Sequence, residues 1–367
     1  MMKASASLPL IAATMFSLQP AQAQTPPPEA AAEASYITLE PAAAPRLNKF
    51  GLSYRMGFNM KVDFEKLGGL QLSDPGPNTG STFNRNYDNG YNRVDISGNQ
   101  GGMTWNWGYS SPSSASPDAI TLQSDSTPAT AQSGSYQDRP QSGVELSYSR
   151  ELTRGKKWRA GLEAALGYTS VSIDDSQTLT YQATRTSDTF SLNGVVPPVP
   201  PYAGTFEGPG PLLSSSLNPS GRTVTELADA ATIRGDRSID SDVFTIRLGP
   251  YLELPLSRKF ALTFSGGLTL GAAHTKFSFH ETVSISDPDS GIQLDSGQRS
   301  GSDWSTDFLV GGYAGASLSY AISETVGVFA GAMFQAAGES INESQTKESV
   351  LNLGKSVVVS VGLSYSF

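Results

Sequence analysis

The chain has 367 residues, no cysteine and a formal net charge of −9. Its length suits one large domain or two ordinary ones, and the absence of cysteine excludes a disulfide framework and thiolate metal sites. The acidic balance, with lysines and arginines scattered along the chain, argues against a nucleic-acid binder, which needs a clustered basic surface. We therefore expect no nucleic-acid partner.

The N-terminus has the pattern of an export signal. Lys3 precedes an apolar stretch from Leu8 to Leu18, and Ala21-Gln22-Ala23 is a small-x-small cleavage site. A stretch of this length is too short to span a bilayer as a helix. We expect a signal peptide over residues 1–23 and then an Ala/Pro-rich linker over residues 24–46 that lies in the periplasm.

Beyond the linker, the dominant pattern is alternation. No segment holds 18 consecutive apolar residues, so no transmembrane helix is predicted. In the last segment, apolar residues at every second position share one face, and small polar residues share the other. Seven further segments repeat this period of two, so we predict eight strands, within residues 50–62, 144–149, 158–167, 244–254, 260–271, 304–320, 326–335 and 356–367.

The connections between these segments differ in length. Tight turns are expected near residues 153–155, 257–258 and 323–324, whereas the other four connections span about residues 65–141, 174–240, 286–303 and 340–353. Short turns at one end and long loops at the other are typical of outer-membrane barrels. The predicted fold is all-β, an antiparallel up-and-down transmembrane β-barrel of eight strands over residues 47–367, with both ends in the periplasm.

Two details of the long loops leave room for other interpretations. The stretch from Met103 to Tyr109 also alternates, and we interpret it as a hairpin arm with Asn92–Ile96 above the membrane; a ten-strand barrel is the alternative. The Ser/Pro/Gly-rich segments Ser110–Gln137 and Val195–Ser220 lack the apolar content to fold alone, so we expect mobile external surface there.

The composition of the two faces indicates which one meets lipid. The polar face is rich in Gly, Ala and Ser, which suit the crowded interior of a small barrel. Its few charges have both signs, and we expect them to pair as a lumen charge network: Arg55, Glu145, Arg159, Glu163, Arg247 and Glu253. Aromatic residues mark the predicted membrane interfaces: Tyr148, Trp158, Phe260, Trp304, Tyr320 and Tyr365. The reverse assignment would give a soluble barrel with an apolar, ligand-binding interior.

The chain resembles the eight-stranded bacterial outer-membrane barrels, such as the membrane domain of outer-membrane protein A. The resemblance rests on the export signal, the strand pattern and the terminal run Val361-Gly362-Leu363-Ser364-Tyr365-Ser366-Phe367. It implies an assembly signal carried by Val361, Leu363, Tyr365 and Phe367 and read by the outer-membrane assembly machinery. It also implies residence in the outer membrane, with membrane lipid and lipopolysaccharide as partners.

Candidate chemistry is sparse. His274 and His280 lie toward the external end of one strand, with Ser278 and Asp287 near them in sequence, so a triad at the barrel rim is one hypothesis. We favour the interpretation that both histidines are exposed strand residues. The oxygen-rich run Asn86–Asp95 lacks the spacing of a calcium-binding EF-hand. No catalytic, cofactor or metal site is predicted.

Four functions remain open at this level. The leading hypothesis is a structural or surface-presenting protein, not an enzyme, whose loops bind an unknown extracellular ligand or surface. The rivals are a narrow channel for ions or small apolar molecules, a membrane enzyme at the barrel rim, and a soluble ligand-binding barrel.

Overall fold

The computed structural model describes residues 47–136, 139–217, 221–287 and 292–367. The expected signal peptide and the linker lie outside this part of the chain. The described residues form strands joined by turns and two single-turn 3-10 helices, Gln100–Gly102 and Pro112–Ser114. Within the same ranges, no helix is long and apolar enough to cross a bilayer.

The strands are numbered in chain order. They are β1 (Asn48–Phe58), β2 (Lys61–Leu67), β3 (Leu70–Gln71), β4 (Arg85–Tyr87), β5 (Gly90–Asn92), β6 (Met103–Thr104), β7 (Trp107–Tyr109), β8 (Ala119–Thr127), β9 (Ala131–Tyr136), β10 (Gln141–Arg154), β11 (Arg159–Asp175), β12 (Leu179–Ser191), β13 (Tyr202–Ala203), β14 (Leu213–Ser214), β15 (Arg222–Pro255), β16 (Phe260–Asp287), β17 (Ile292–Ala321), β18 (Val326–Ala336), β19 (Glu339–Ser344), β20 (Lys347–Asn352) and β21 (Ser356–Ser366).

Antiparallel pairing joins eight of these strands in a closed cycle, which we call the ring. Its order is β1, β10, β11, β15, β16, β17, β18 and β21, and β21 pairs back onto β1. The strands are uneven, from 11 residues in β1 to 34 in β15. Short turns connect them at one end, the short-turn end, so that consecutive strands are held in register.

The ring is apolar outside and polar inside. Exposed apolar side chains, which we call the belt, cover its outer face; examples are Leu52, Leu166, Ile246 and Leu363. Facing partners keep these residues on one side, because Leu52 is level with both Leu146 and Leu363. Gly, Ser, Thr and a few charged residues occupy the inner face, as the alternation predicts.

Beyond the ring, four of its strands continue into a distal region, which consists of the described residues within 59–140, 170–242, 273–307 and 337–355. The long strands β11, β15, β16 and β17 form one wall, and the sheet β19-β20-β2-β9 lies against them. An apolar core fills the space between, and the rings of Phe64 and Phe277 stack there 5.7 Å apart. The distal region therefore has a buried apolar core between two β-layers.

The apolar face changes sides within single strands. On β16, Leu268 and Leu270 are exposed on the outside of the ring, whereas Phe277 and Val283 are buried inside the distal core. The strand does not change its facing, because odd positions point inward throughout. Only the residue types change, near Ala273.

A second core contradicts the expected lack of structure in the two Ser/Pro/Gly-rich segments. Ile120 from one segment and Leu213 from the other pack with Trp107 and Phe190. Strands β8, β9, β13 and β14 also lie in these segments. The expectation was wrong because each segment was assessed alone, whereas the core combines apolar residues from both long connections.

Two smaller expectations also need correction. The alternation over residues 50–62 places Met60 and Val62 on the same outward face as Leu52, but both are buried in the distal core. Asn59 adopts a left-handed conformation (φ 58°), which ends β1 and turns the following residues inward. The hairpin arm pairs Gly90–Asn92 with Trp107–Tyr109, whereas the expected partner of the second strand was Asn92–Ile96. Neither strand of the arm belongs to the ring.

The distal core gives a direct stability prediction. Phe64→Ala should destabilise the distal region by about 3–5 kcal/mol, because it removes a fully buried ring and leaves a cavity. Hydrogen exchange of the distal β16 amides, measured in detergent, would show faster opening. The control Phe83→Ala removes a ring that is largely exposed and should leave this exchange unchanged. Equal exchange in both variants would contradict the proposed core.

Candidate functional site

Inside the ring, Glu145 joins two arginines. Arg247 donates through Nη2 to Glu145 Oε1 (2.7 Å) and through Nε to Oε2 (3.1 Å). Arg55 Nη1 lies 3.1 Å from Glu145 Oε2, and its Nη2 donates to Gln335 Oε1 at 3.3 Å. Glu163 Oε1 is 3.6 Å from Arg247 Nη1. These contacts link strands β1, β10, β11, β15 and β18 across the interior.

The surroundings of this group explain why the charges can remain buried. Arg247 and Arg55 are almost completely buried, and each faces a carboxylate. The Tyr313 ring lies 4.4 Å from the Arg247 guanidinium carbon, which adds a cation–π contact. A buried charge without its partner is costly, so Glu145 is the residue on which both arginines depend.

The other predicted lumen charges form a separate group at the short-turn end. Glu253 accepts from Lys49 Nζ (3.0 Å) and from Arg159 Nη1 (3.3 Å). The six predicted charges therefore form two groups of contacts: Arg55, Glu145, Glu163 and Arg247 in the middle of the ring, and Arg159 and Glu253 at the short-turn end. The sequence interpretation omitted Lys49, Gln335 and Tyr313. Lys49 could have been found, because it has the same parity as the inward residue Arg55.

Small cavities lie within the described interior of the ring. One cavity of about 70 Å³ adjoins Arg55, Glu145 and Arg247, and another of about 70 Å³ lies nearer Lys49 and Glu253. Each is large enough for a few water molecules, since one water occupies about 30 Å³ in the liquid. The apolar distal core lies beyond the end of the ring that is opposite the short-turn end. The described interior is thus filled by side chains rather than shaped as a wide passage.

The aromatic residues expected at membrane interfaces fall at two levels. Tyr148, Trp158, Phe260, Tyr320 and Tyr365 are at the short-turn end, where Phe260 and Tyr320 contact at 5.0 Å. Trp304 lies near the opposite end of the ring and stacks on His274 at 4.8 Å. Val361, Leu363, Tyr365 and Phe367 are all exposed on the outer face of the last strand. Their role as an assembly signal stays a prediction.

The histidines do not assemble a triad with the described candidate side chains. His274 Nδ1 lies 2.9 Å from Thr306 Oγ1, and Ser278 Oγ lies 3.0 Å from Ser302 Oγ. His274 and Ser278 are four residues apart on one strand, which places them about 13 Å from each other. His280 is exposed, and the side chain of Asp287 lies outside the described part of the chain.

The oxygen-rich run Asn86–Asp95 uses its oxygens within the protein. Asp95 accepts from the backbone N–H groups of Ser97 (2.9 Å) and Trp105 (3.1 Å), and Asp88 accepts from that of Asp125 (2.6 Å). These bonds hold turns together, as Asp and Asn commonly do. In the described residues, no group of three or more His, Asp or Glu side chains is placed to hold a metal ion.

Buried ion pairs hold the distal region together. Glu281 contacts Lys347 Nζ (3.1 Å) and Arg299 Nη2 (2.7 Å), which joins β16, β17 and β20. Burial lowers the pKa of Lys347, while the Glu281 carboxylate opposes that shift. Elsewhere, Arg222 binds Asp188 in a bidentate pair. No alternation pattern predicts these contacts, because they join segments far apart in sequence.

The distal region carries an exposed apolar surface on its long connections. Val196, Val199 and Phe206 are exposed on the second connection, and Ile96 is exposed on the first. The backbone N–H of Ile96 donates to the Phe206 carbonyl at 2.9 Å. We call these four residues the apolar tip. Contiguous exposed apolar groups often mark contact surfaces, and the Ile96–Phe206 bond brings two of these residues together.

No family model matches the sequence, and no curated protein matches it. Among solved structures, outer-membrane β-barrel proteins align with most of the chain. Ail, the attachment invasion locus protein of Yersinia pestis, is 8% identical with a TM-score of 0.27, covering 88% of this chain and 99% of Ail. The outer membrane protease OmpT of Escherichia coli is 11% identical with a TM-score of 0.28, covering 89% and 99%. A FadL homologue from Pseudomonas aeruginosa is 8% identical with a TM-score of 0.18, covering 88% and 90%.

The interior charges give a second stability prediction. Glu145→Gln should destabilise the ring by about 3–5 kcal/mol, because two buried arginines lose their shared carboxylate. Thermal unfolding of the detergent-refolded protein would measure the loss. Glu163→Gln is the matched control: it has one longer contact and a more exposed side chain, so its effect should be much smaller. A similar loss in both variants would refute the central role of Glu145.

Proposed function

We propose that this protein is an outer-membrane β-barrel that anchors a surface-exposed β-domain, and that the domain acts in adhesion or binding. The observation that carries the proposal is the reversal of apolar faces along β16. The ring is apolar outside, as a lipid-facing wall must be, and the distal region is apolar inside, as a domain in water must be. One strand serves both environments in succession.

The belt supports the membrane part of the proposal. A row of exposed Leu, Ile, Val and Phe side chains around a closed sheet would be unfavourable in water, where contiguous apolar patches are rare. Bilayer lipid removes that cost. Closure of the ring also pairs the backbone N–H and C=O groups of its strands, which a strand in hydrocarbon requires.

The proposed orientation follows from the connections. Short turns face the periplasm in outer-membrane barrels, and longer connections face outward. The distal region, built from the long connections, then projects from the cell. An eight-stranded membrane barrel of the outer-membrane protein A kind is the form we propose, with its eight ring strands crossing the bilayer.

The interior favours an anchor over a channel. Arg55, Glu145 and Arg247 meet across the ring, and the distal core covers its outer end. Eight-stranded barrels leave room inside for little more than their own side chains. The apolar tip, by contrast, belongs to the distal region, which projects from the cell in the proposed orientation.

The membrane setting predicts the effect of a single charge. Leu268→Arg, at a belt position that is 68% exposed, should cost about 2–4 kcal/mol of insertion energy near the bilayer midplane. Insertion into lipid vesicles would be followed by the heat-dependent shift in gel mobility. Leu72→Arg is the control, because Leu72 is 57% exposed but lies in the distal region. Equal insertion of both variants would refute the lipid-facing belt.

The binding role predicts an effect of the apolar tip on adhesion. Cells that display the protein should adhere to polystyrene, a plain apolar surface, and the variant I96S/V199S/F206S should reduce adhesion several-fold. The control L72S/F83S/V224S removes three other exposed apolar side chains of the distal region. Because the native chain has no cysteine, Gln100→Cys labelled on intact cells confirms equal display. Unchanged adhesion at equal display would refute the role of the tip.

A further inference from the structure

Charge is distributed unevenly between the two ends of the molecule. Eight cationic and three acidic side chains gather at the short-turn end: Lys49, Arg150, Arg154, Lys156, Lys157, Arg159, Arg258 and Lys259, with Glu151, Glu253 and Glu324. In the described distal region, acidic side chains outnumber basic ones. The chain is acidic overall, so this basic end is a local feature rather than a consequence of composition.

A recess lies within this basic end. It has a volume of about 140 Å³ and is lined by Lys49, Arg159, Arg258 and Lys259. Serine and threonine hydroxyls of the turns at Ser257–Lys259 and Ser323–Thr325, and of β21, complete its wall. Hydroxyl and cationic donors together are the groups that bind phosphate oxygens.

The recess keeps an excess of positive charge after its own ion pairs are counted. Lys49 and Arg159 share the single carboxylate of Glu253. Glu324 also lines the recess. Four cations line the recess, and two carboxylates lie at or next to it, so a bound anion would offset part of the remaining positive charge. The volume is several times the roughly 30 Å³ of one water, which leaves room for a phosphate group.

The depth of the recess indicates which phosphate it takes. Phe260 and Tyr320 line the recess, and both are among the aromatic residues at the short-turn end that are expected at a membrane interface. Lys259 Nζ lies 3.5 Å from Tyr320 Oη and 5.6 Å from the centre of that ring. Interfacial aromatic residues lie at the level of lipid headgroups. The recess therefore opens at the short-turn rim of the ring, at the height of headgroup phosphates, with Phe260 and Tyr320 on its outer side and Lys49 and Arg159 on its inner side.

We propose that this recess binds the phosphate headgroup of an anionic phospholipid in the periplasmic leaflet. This inference rests on the proposed function, since it needs the barrel in a membrane with its short turns in the periplasm. Arg258 and Lys259 hold the phosphate, Lys49 and Arg159 supply the remaining charge, and the acyl chains lie along Phe260 and Tyr320. The lipid thereby fixes the depth of the short-turn end.

The test measures which lipid the protein retains. The full chain is refolded in detergent containing equal amounts of phosphatidylcholine and phosphatidylglycerol and then purified, and its bound lipid is quantified by mass spectrometry. The wild type should be enriched in phosphatidylglycerol. Arg258→Ser with Lys259→Ser should reduce the enrichment about fivefold or more, since the variant removes two of the four cations that line the recess.

Two matched variants separate the recess from general charge. Lys156→Ser with Lys157→Ser removes two cations from the same end outside the recess lining and should reduce enrichment by a clearly smaller factor. Arg234→Ser with Lys355→Ser removes two exposed cations from the distal region and should leave enrichment unchanged. An equal loss from the 156/157 and 258/259 variants would overturn the recess as the site.

Two further comparisons complete the experiment. Inorganic phosphate that displaces phosphatidylglycerol more than sodium chloride of the same ionic strength would show a site for free phosphate and overturn the lipid assignment. Wild-type protein that shows the heat-dependent mobility shift but no enrichment would overturn this inference and leave the barrel intact. Protein without the shift in either lipid would instead refute the proposed membrane barrel.

Discussion

Closure of the antiparallel ring is the constraint on which the remaining structure depends. β1 pairs with β10 on one side and β21 on the other, so the first and last described strands become neighbours. Closure satisfies the backbone hydrogen bonds of the wall and divides its residues into an inside and an outside. Every later feature, from the belt to the interior ion pairs, follows from which of these two sides a residue occupies.

The same backbone serves two solvents because composition changes while facing does not. Inward positions on β16 are small or hydroxylated in the ring, as at Thr263 and Ser265, and aromatic or branched beyond it, as at Phe277 and Val283. The small residues leave space for the interior arginines and their shared carboxylate. The large ones form the distal core against β2 and β20. In the proposed setting, the bilayer surface lies where this change occurs.

Charge complements that division. The interior contains paired charges, the distal region is acidic, and the short-turn end is basic. Because the two ends differ in the sign of their charge, we propose a different partner for each: lipid phosphate at the recess of the short-turn end, and an apolar surface at the distal region. Electrostatic attraction to an anionic leaflet would act together with the aromatic residues at the same height.

Local pattern was enough to predict the all-β class, most of the ring strands and the facing of their residues. It placed Ile246 outward and its neighbour Arg247 inward, and both positions agree with the structure. This succeeds because period and parity are properties of adjacent residues. The alternation gave the wrong side for Met60 and Val62. The left-handed backbone of Asn59 moves the residues after it to the opposite face, and a period of two contains no information about backbone conformation.

What the sequence by itself determined is therefore the wall: its alternation, its short turns and the sign of its interior charges. Only the tertiary structure decided the distal region, where the second core gathers residues from segments too poor in apolar residues to form a core separately: Trp107, Ile120, Phe190 and Leu213. It also decided the partners of Glu281 and Glu253 and the recess at the short-turn end. The physical reason is that periodicity acts between neighbours along the chain, whereas cores, ion pairs and recesses form between residues that only folding brings together.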